Sequence, residues 1–254
     1  MKKILCPLPS YGFDPTEAAI PWWLLTQAGF DITFATPKGQ KAACDIRMLK
    51  GHNLGVLRFV LQAKKDAIEA YTVMQNSESF CNPLTYDEID TKQYDAILLP
   101  GGHDKGIKQY LESKVLQSVI VDFFNNNKPV AAICHAVVLV ARSIDKKTDQ
   151  SVIHNYQTTA LLNSQELLAY NLTRLWLKDY YLTYPGLTVE DEVKSVLSNK
   201  EQFLQGPAPM FRDNAKKLKR GFFVKDRNYL SARWPGDVYN FSIEFIKMLQ
   251  EPTV

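Results

Sequence analysis

Two kinds of apolar pattern alternate along the first 150 residues. Lys3 to Cys6, Asp31 to Thr36, Tyr94 to Leu99 and Val130 to Ile133 are short segments read as strands, the last of them apolar throughout. Thr16 to Ala28, with Asp14 as a candidate N-cap and Pro15 beside it, and Val115 to Phe124 read as helices, and a further helix follows Ile133. Continuously apolar strands are covered on both faces, and their alternation with helices predicts a parallel sheet in an α/β fold.

The remaining pattern is more varied. Between Gly39 and Asp90 a helical stretch from Leu54 to Met74 and a turn at Cys81-Asn82-Pro83 read as crossover and surface decoration. Residues 151–219 are rich in leucine and aromatics, with helical spacing over Leu167 to Leu177 and Val189 to Leu197. Asn163 or Ser164 is the expected cap of the first helix, and Thr188 with Asp191 starts the second. This segment is expected to lie over the C-terminal edge of the sheet and restrict the substrate pocket. Phe222 to Lys225 and Tyr229 to Ala232 form a hairpin signal, and Pro235 opens a final helix with Val238, Phe241, Phe245 and Leu249 on one face. The expected organisation is a single domain over 1–254, with 151–219 as a helical insertion or cap.

Composition narrows the function classes. At 254 residues, 46% hydrophobic and 22% charged, the chain has the balance of a globular protein and can bury a sizeable core. Its apolar runs are too short for a membrane-spanning helix and its N-terminus lacks a signal-peptide core, so the default expectation is cytoplasmic, without membrane association. A net charge of +3 carries one basic cluster, Arg212 with Lys216, Lys217, Lys219 and Arg220, which reads as a solvent-facing linker rather than a nucleic-acid contact. Four scattered cysteines, without a C-x-x-C pair, argue against a zinc ribbon. His52, His103 and His154 are also dispersed, and no metal site is expected.

The most informative stretch is Val130-Ala131-Ala132-Ile133-Cys134-His135-Ala136. A buried strand running straight into a cysteine and then a helix forms a nucleophile elbow, placing the sulfur at the sheet's C-terminal edge and at a helix N-terminus. Backbone N–H groups there favour thiolate, and the adjacent His135 can exchange a proton. Gly101 and Gly102, after another apolar strand, are candidate oxyanion-side residues together with the N–H of His135. Glu17 opens a helix in apolar surroundings, where it is either a solvent-facing first-turn residue or a buried acid able to donate to sulfur.

Gly12-Phe13-Asp14-Pro15-Thr16-Glu17 with Pro21-Trp22, Leu99-Pro100-Gly101-Gly102-His103, and Ala132-Ile133-Cys134-His135 together resemble the three motifs of the ThiJ/PfpI superfamily, of glutamine amidotransferase-like fold, in its glyoxalase III and heat-shock chaperone branch. The resemblance implies a flavodoxin-like three-layer sandwich with a mostly parallel sheet, and a homodimer. It also implies Cys134 as the thiolate with His135 beside it, Glu17 hydrogen-bonded to the sulfur, Gly101 and Gly102 on the oxyanion side, and His103 lining the pocket. A third acid orients the histidine in part of this branch; Glu166 is the nearest position, with Glu190 and Asp191 in reserve. Many relatives carry glycine where Ala136 stands, and the added methyl group narrows the pocket floor.

These features point to a cofactor-free, cysteine-dependent enzyme acting on small reactive carbonyls, as glyoxalase or deglycase. The alternatives are a cysteine hydrolase or peptidase of the PfpI type and a redox-sensing holding chaperone. A glutamine amidotransferase fits poorly, because no glycine follows Cys134 until Gly186 and the last histidine is His154.

Overall fold

The computed structural model describes residues 1–251. Seven strands form the central sheet in the order Phe223–Asp226, Tyr229–Ala232, Val130–Ile133, Ala96–Leu99, Lys3–Pro7, Asp31–Thr36 and Leu84–Thr85. All neighbours run parallel except the first two, which form the antiparallel hairpin expected from the sequence. Helices Pro15–Gln27, Lys65–Met74 and Val238–Gln250 pack together, and helices Lys114–Asn125, Ala136–Ala141 and Val189–Val196 form a second group. Every residue of Val130–Ile133 and Ala96–Leu99 is buried, as a strand covered by helices on both faces requires. The arrangement is the flavodoxin-like α/β sandwich.

Three local expectations are corrected. The helical stretch from Leu54 to Met74 divides into a tight turn at Gly55–Leu57, a short helix Arg58–Leu61 and the helix Lys65–Met74. Lys64 is extended between them, and Ala63 donates its N–H to the Met48 carbonyl instead of continuing a helix. Helix Asn163–Leu177 is not capped by Asn163 or Ser164: the Asn163 N–H donates to Glu190 Oε2 at 2.8 Å, so a carboxylate from the next helix closes this terminus. Of the basic cluster, Lys216, Lys217, Lys219 and Arg220 are exposed, whereas the Arg212 guanidinium is buried, with Nη2 donating to the carbonyls of Val60 and Leu61.

The 151–219 segment contacts the elbow region directly. Helix Val189–Val196 packs on the elbow helix Ala136–Ala141, and Arg142, just beyond that helix, pairs with Glu192 at 2.5 Å. The outer face of helix Asn163–Leu177 leaves Leu167, Leu168, Leu172, Leu175 and Trp176 exposed. Among the described residues no helix is long and apolar enough to cross a membrane.

Candidate active site

Strand Val130–Ile133 delivers Cys134 to the sheet's C-terminal edge with φ +60°, the left-handed region that a non-glycine residue enters only when its surroundings hold it there. Two backbone bonds grip the turn: Cys134 N–H donates to the Ala232 carbonyl at 3.0 Å, and the Cys134 carbonyl accepts from Val137 at 3.3 Å. The elbow geometry expected from the sequence is present, and the sulfur is fully buried.

His135 follows with its Nδ1 3.4 Å from Cys134 Sγ, and its backbone N–H supports negative charge on the sulfur. Glu17 reaches the site from the first turn of helix Pro15–Gln27, which Asp14 caps by accepting from Thr16 and Glu17 N–H at 2.7 and 3.1 Å. The Glu17 carboxyl is fully buried. Its Oε2 accepts the Gly101 N–H at 3.0 Å, while Oε1 has no hydrogen-bond partner. That bond bears on the oxyanion expectation: the Gly101 N–H is engaged in positioning Glu17. The close packing demands both glycines. A Cβ on Gly101 would stand 2.8 Å from His135 N, and one on Gly102 would stand 2.5 Å from the Gly12 carbonyl oxygen.

His103 completes the enclosure. Its ring meets His135 edge to face at 4.8 Å, and Tyr181, from the 151–219 segment, closes over it at 5.1 Å. Tyr181 and its neighbour Tyr180 are also in edge contact, and Tyr180 is hydrogen-bonded to Asp45. The segment thus does supply a wall of the site, through Tyr181. Trp176 lies elsewhere: half-exposed, it donates its indole N–H to the Asn53 carbonyl.

The third acid is not where the resemblance placed it. Glu166 Oε2 accepts the Val189 N–H at 2.9 Å, at the start of the next helix. Glu190 binds Asn163 N–H, Lys194 and Gln205, and Asp191 binds Asn163 and Thr188, so the reserve candidates are engaged within the same segment. His135 Nε2 has no hydrogen-bond partner.

Burial sets the electrostatics. It pushes the imidazole of His103 down to about 4 and that of His135 well below its usual range, the neighbouring His103 adding to the effect, so both rings are neutral near pH 7. Contrary to the thiolate expected at a helix N-terminus, burial raises the Cys134 thiol well above its usual range, and the Glu17 and Asp14 carboxylates raise it further; the His135 N–H opposes them. Glu17 is itself raised well above the usual carboxyl range, by burial and by Asp14. Thiol and carboxyl therefore compete for a proton in one dry site, and their titration belongs to the pair. Donor atoms of His103, Cys134 and His135 all lie within 4.8 Å of one another, a grouping that could hold an ion among the described residues. This juxtaposition is invisible in the linear spacing of the histidines.

Residues 8–207 match the family described as ThiJ/PfpI family-like. The chain belongs to this family. A deglycase of Thermococcus kodakarensis is 24% identical over 201 residues, covering 79% of this chain and 85% of the relative. A protein/nucleic acid deglycase of Staphylococcus aureus is 22% identical over 217 residues, covering 82% and 71%. Among solved structures, glyoxalase III from Candida albicans superposes with a TM-score of 0.72 at 19% identity, covering 97% of each chain. In this ThiJ/PfpI-like chain the elbow cysteine and the adjoining histidine follow strand Val130–Ile133, and the buried glutamate comes from the first turn of helix Pro15–Gln27; they meet at the kind of edge at which open α/β sheets bind ligands.

Proposed function

We propose that the protein is a cysteine-dependent enzyme that converts small reactive dicarbonyls to hydroxy acids without a bound cofactor, methylglyoxal to lactate being the type reaction. The observation that carries this reading is the Cys134–His135–Glu17 cluster: a nucleophile, a neutral imidazole and a proton-holding carboxyl enclosed together away from water. The glyoxalase and deglycase names of the similar proteins support the same substrate class.

The chemistry follows from the groups present. Cys134, giving its proton to the neutral His135 ring 3.4 Å away, adds through sulfur to the aldehyde carbon, and the new oxyanion takes up a proton to give a hemithioacetal. Glu17 or His135 then removes the hydrogen from the former aldehyde carbon, giving an enediol. Reprotonation at the adjacent carbon yields a hydroxyacyl thioester, which water hydrolyses to release the acid and restore the thiol. The net change is addition of one water, with no external oxidant or reductant. Tyr181 packs against His103 beside the cluster, and in this reading it restricts the substrate to a small one.

The test is lactate formation from methylglyoxal by the purified chain in the absence of added thiols, beside Cys134→Ser. Lactate from the wild type alone supports the reading. Equal lactate from both proteins, or none from a wild type whose Cys134 remains unmodified and alkylatable, refutes it.

A second reading, a holding chaperone, draws on one observation: the exposed apolar face of helix Asn163–Leu177, where Leu175 is 91% accessible. Suppression of client aggregation that survives Cys134→Ser and is lost on Leu172→Glu with Leu175→Glu would favour it.

A further inference from the structure

A cavity of about 410 Å³ lies between the 59–66 and 210–220 stretches, with neither Cys134 nor His135 in its lining, and Arg212 and Trp234 form part of its wall. The two side chains carry three buried donor nitrogens without a hydrogen-bond partner, Arg212 Nε and Nη1 and Trp234 Nε1. All three are donors with no acceptor capacity, so the group that satisfies them must be an acceptor. The guanidinium stands 5.7 Å from the Trp234 ring, and its remaining nitrogen is already held by Val60 and Leu61 carbonyls. The arginine is therefore fixed in place.

The charges around the cavity agree. Lys64, Arg212 and Arg220 face two carboxylates, Asp66 and Asp213. Both carboxylates are already engaged: Asp66 accepts from the Tyr239 hydroxyl and the Ala67 N–H, and Asp213 accepts from the Tyr239 and Asn240 N–H groups. Burial raises Asp213 to about 7, which weakens its negative charge near neutrality. Partial burial depresses the Lys64 ammonium, and the Arg212 charge adds to the effect. An apolar rim surrounds this basic floor: Phe59, Val60, Met210 and Phe211 are 70%, 61%, 76% and 62% exposed.

We propose that this cavity binds a small amphipathic anion, a carboxylate or phosphate group carried on an apolar body, with Arg212 and Trp234 as the donors to its charged end. A buried guanidinium with spare donors recognises planar carboxylate or phosphate oxygens through charge-assisted bonds, while the rim covers the apolar portion. The site also bears on the elbow. The positive charge of Arg212 is felt by Asp14 and Glu17, holding both carboxyls lower than burial alone would place them. An anion seated on Arg212 screens that charge.

The binding test uses the full chain carrying Cys134→Ser, which separates it from the reaction assigned to Cys134. Calorimetric titration is done with phenyl phosphate, inorganic phosphate and, as a neutral control, benzyl alcohol. Saturable binding of phenyl phosphate, tighter than inorganic phosphate and absent for benzyl alcohol, is expected. Arg212→Lys, which keeps the charge but removes Nε and Nη1, should weaken it about tenfold or more, and Trp234→Phe severalfold. Failure to saturate, or affinities unchanged in both variants, overturns the proposal. So does a dimer that is dispersed by Phe211→Glu, which would assign the rim to a second copy of the chain. In the wild-type protein, protection of Cys134 from iodoacetamide by phenyl phosphate identifies the anion as the tail of a molecule that reaches the thiol. A changed alkylation rate without protection identifies it as a separate ligand.

Discussion

The rings of His103 and His135 meet edge to face at 4.8 Å, and neither ring is paired with a carboxylate. Their neutrality has a signed consequence for stability. Each folded-state pKa lies below the ordinary histidine value, so the unfolded chain binds more protons as the pH falls below about 6.5 and the folded state loses ground down to about pH 4. For His103 the loss is on the order of 3 kcal/mol. Nitrogen chemical shifts of both rings should remain those of neutral imidazole from pH 8 to pH 5, and a midpoint near 6.5 for either would refute the assignment.

Glu17→Gln should lower the pH at which Cys134 is alkylated, because it removes the negative charge that raises the thiol while leaving an oxygen to accept the Gly101 N–H. A neighbouring charge of this kind shifts a pKa by about one unit or more. Lactate formation should fall even as labelling at neutral pH rises, since the carboxyl that holds the proton is gone. Site-resolved iodoacetamide labelling against pH measures the shift, and an unmoved midpoint removes Glu17 from the thiol's environment.

Glu166 is raised to about 7, chiefly by burial, and the direction of its pH effect follows. The folded state favours the protonated acid, so stability declines as pH rises from about 4.5 through 7 and is level above that. Glu166→Gln keeps an acceptor for the Val189 N–H and carries no charge. The variant should match the wild type near pH 4.5 and exceed it at pH 8, by on the order of 3 kcal/mol at most. Denaturant melts at the two pH values check this, and a variant with undiminished lactate formation confirms that the residue serves structure.

Tyr181→Ala should admit bulkier carbonyl substrates by removing the ring over His103, at a stability cost of about 3 to 5 kcal/mol for an emptied aromatic site. Trp176→Ala should leave selectivity unchanged, because that indole is half-exposed and fastened to Asn53. Comparing turnover of phenylglyoxal with that of methylglyoxal in the two variants separates the roles. Equal selectivity in both would show that Tyr181 is not the limiting wall.

What could be read from the chain depended on whether the deciding forces were local. The elbow was legible because an apolar strand, a cysteine and a helix follow one another within a few residues, and Asp14 was legible as a cap from its position before Pro15. Glu166 was misplaced because spacing cannot show whether a carboxyl meets an imidazole or a backbone N–H, and here the nearer partner is Val189 at the start of another helix. Arg212 was grouped with Lys216, Lys217 and Lys219 because charge runs ordinarily face water. Its neighbour Asp213 binds the N–H groups of Tyr239 and Asn240, tying this stretch to the first turn of the last helix and turning the adjoining arginine inward. The helix expected over Leu54 to Met74 broke at Lys64 for a similar reason, through a tertiary bond from Ala63 to Met48.

The sheet order has a bearing on how the protein is made. Strand Val130–Ile133 is flanked on one side by Tyr229–Ala232, which follows it by about a hundred residues, and the Cys134 N–H binds the carbonyl of Ala232. At ribosomal rates of about 5 to 20 residues per second, the elbow strand has an open edge for roughly 5 to 20 seconds of synthesis. During that interval its apolar backbone is exposed to rival pairing, and the cysteine lacks the bond that holds its unusual conformation. The elbow is thus assembled late, when the hairpin slots into the sheet, and a nascent chain halted before Tyr229 would carry Cys134 without the bond that holds its left-handed turn.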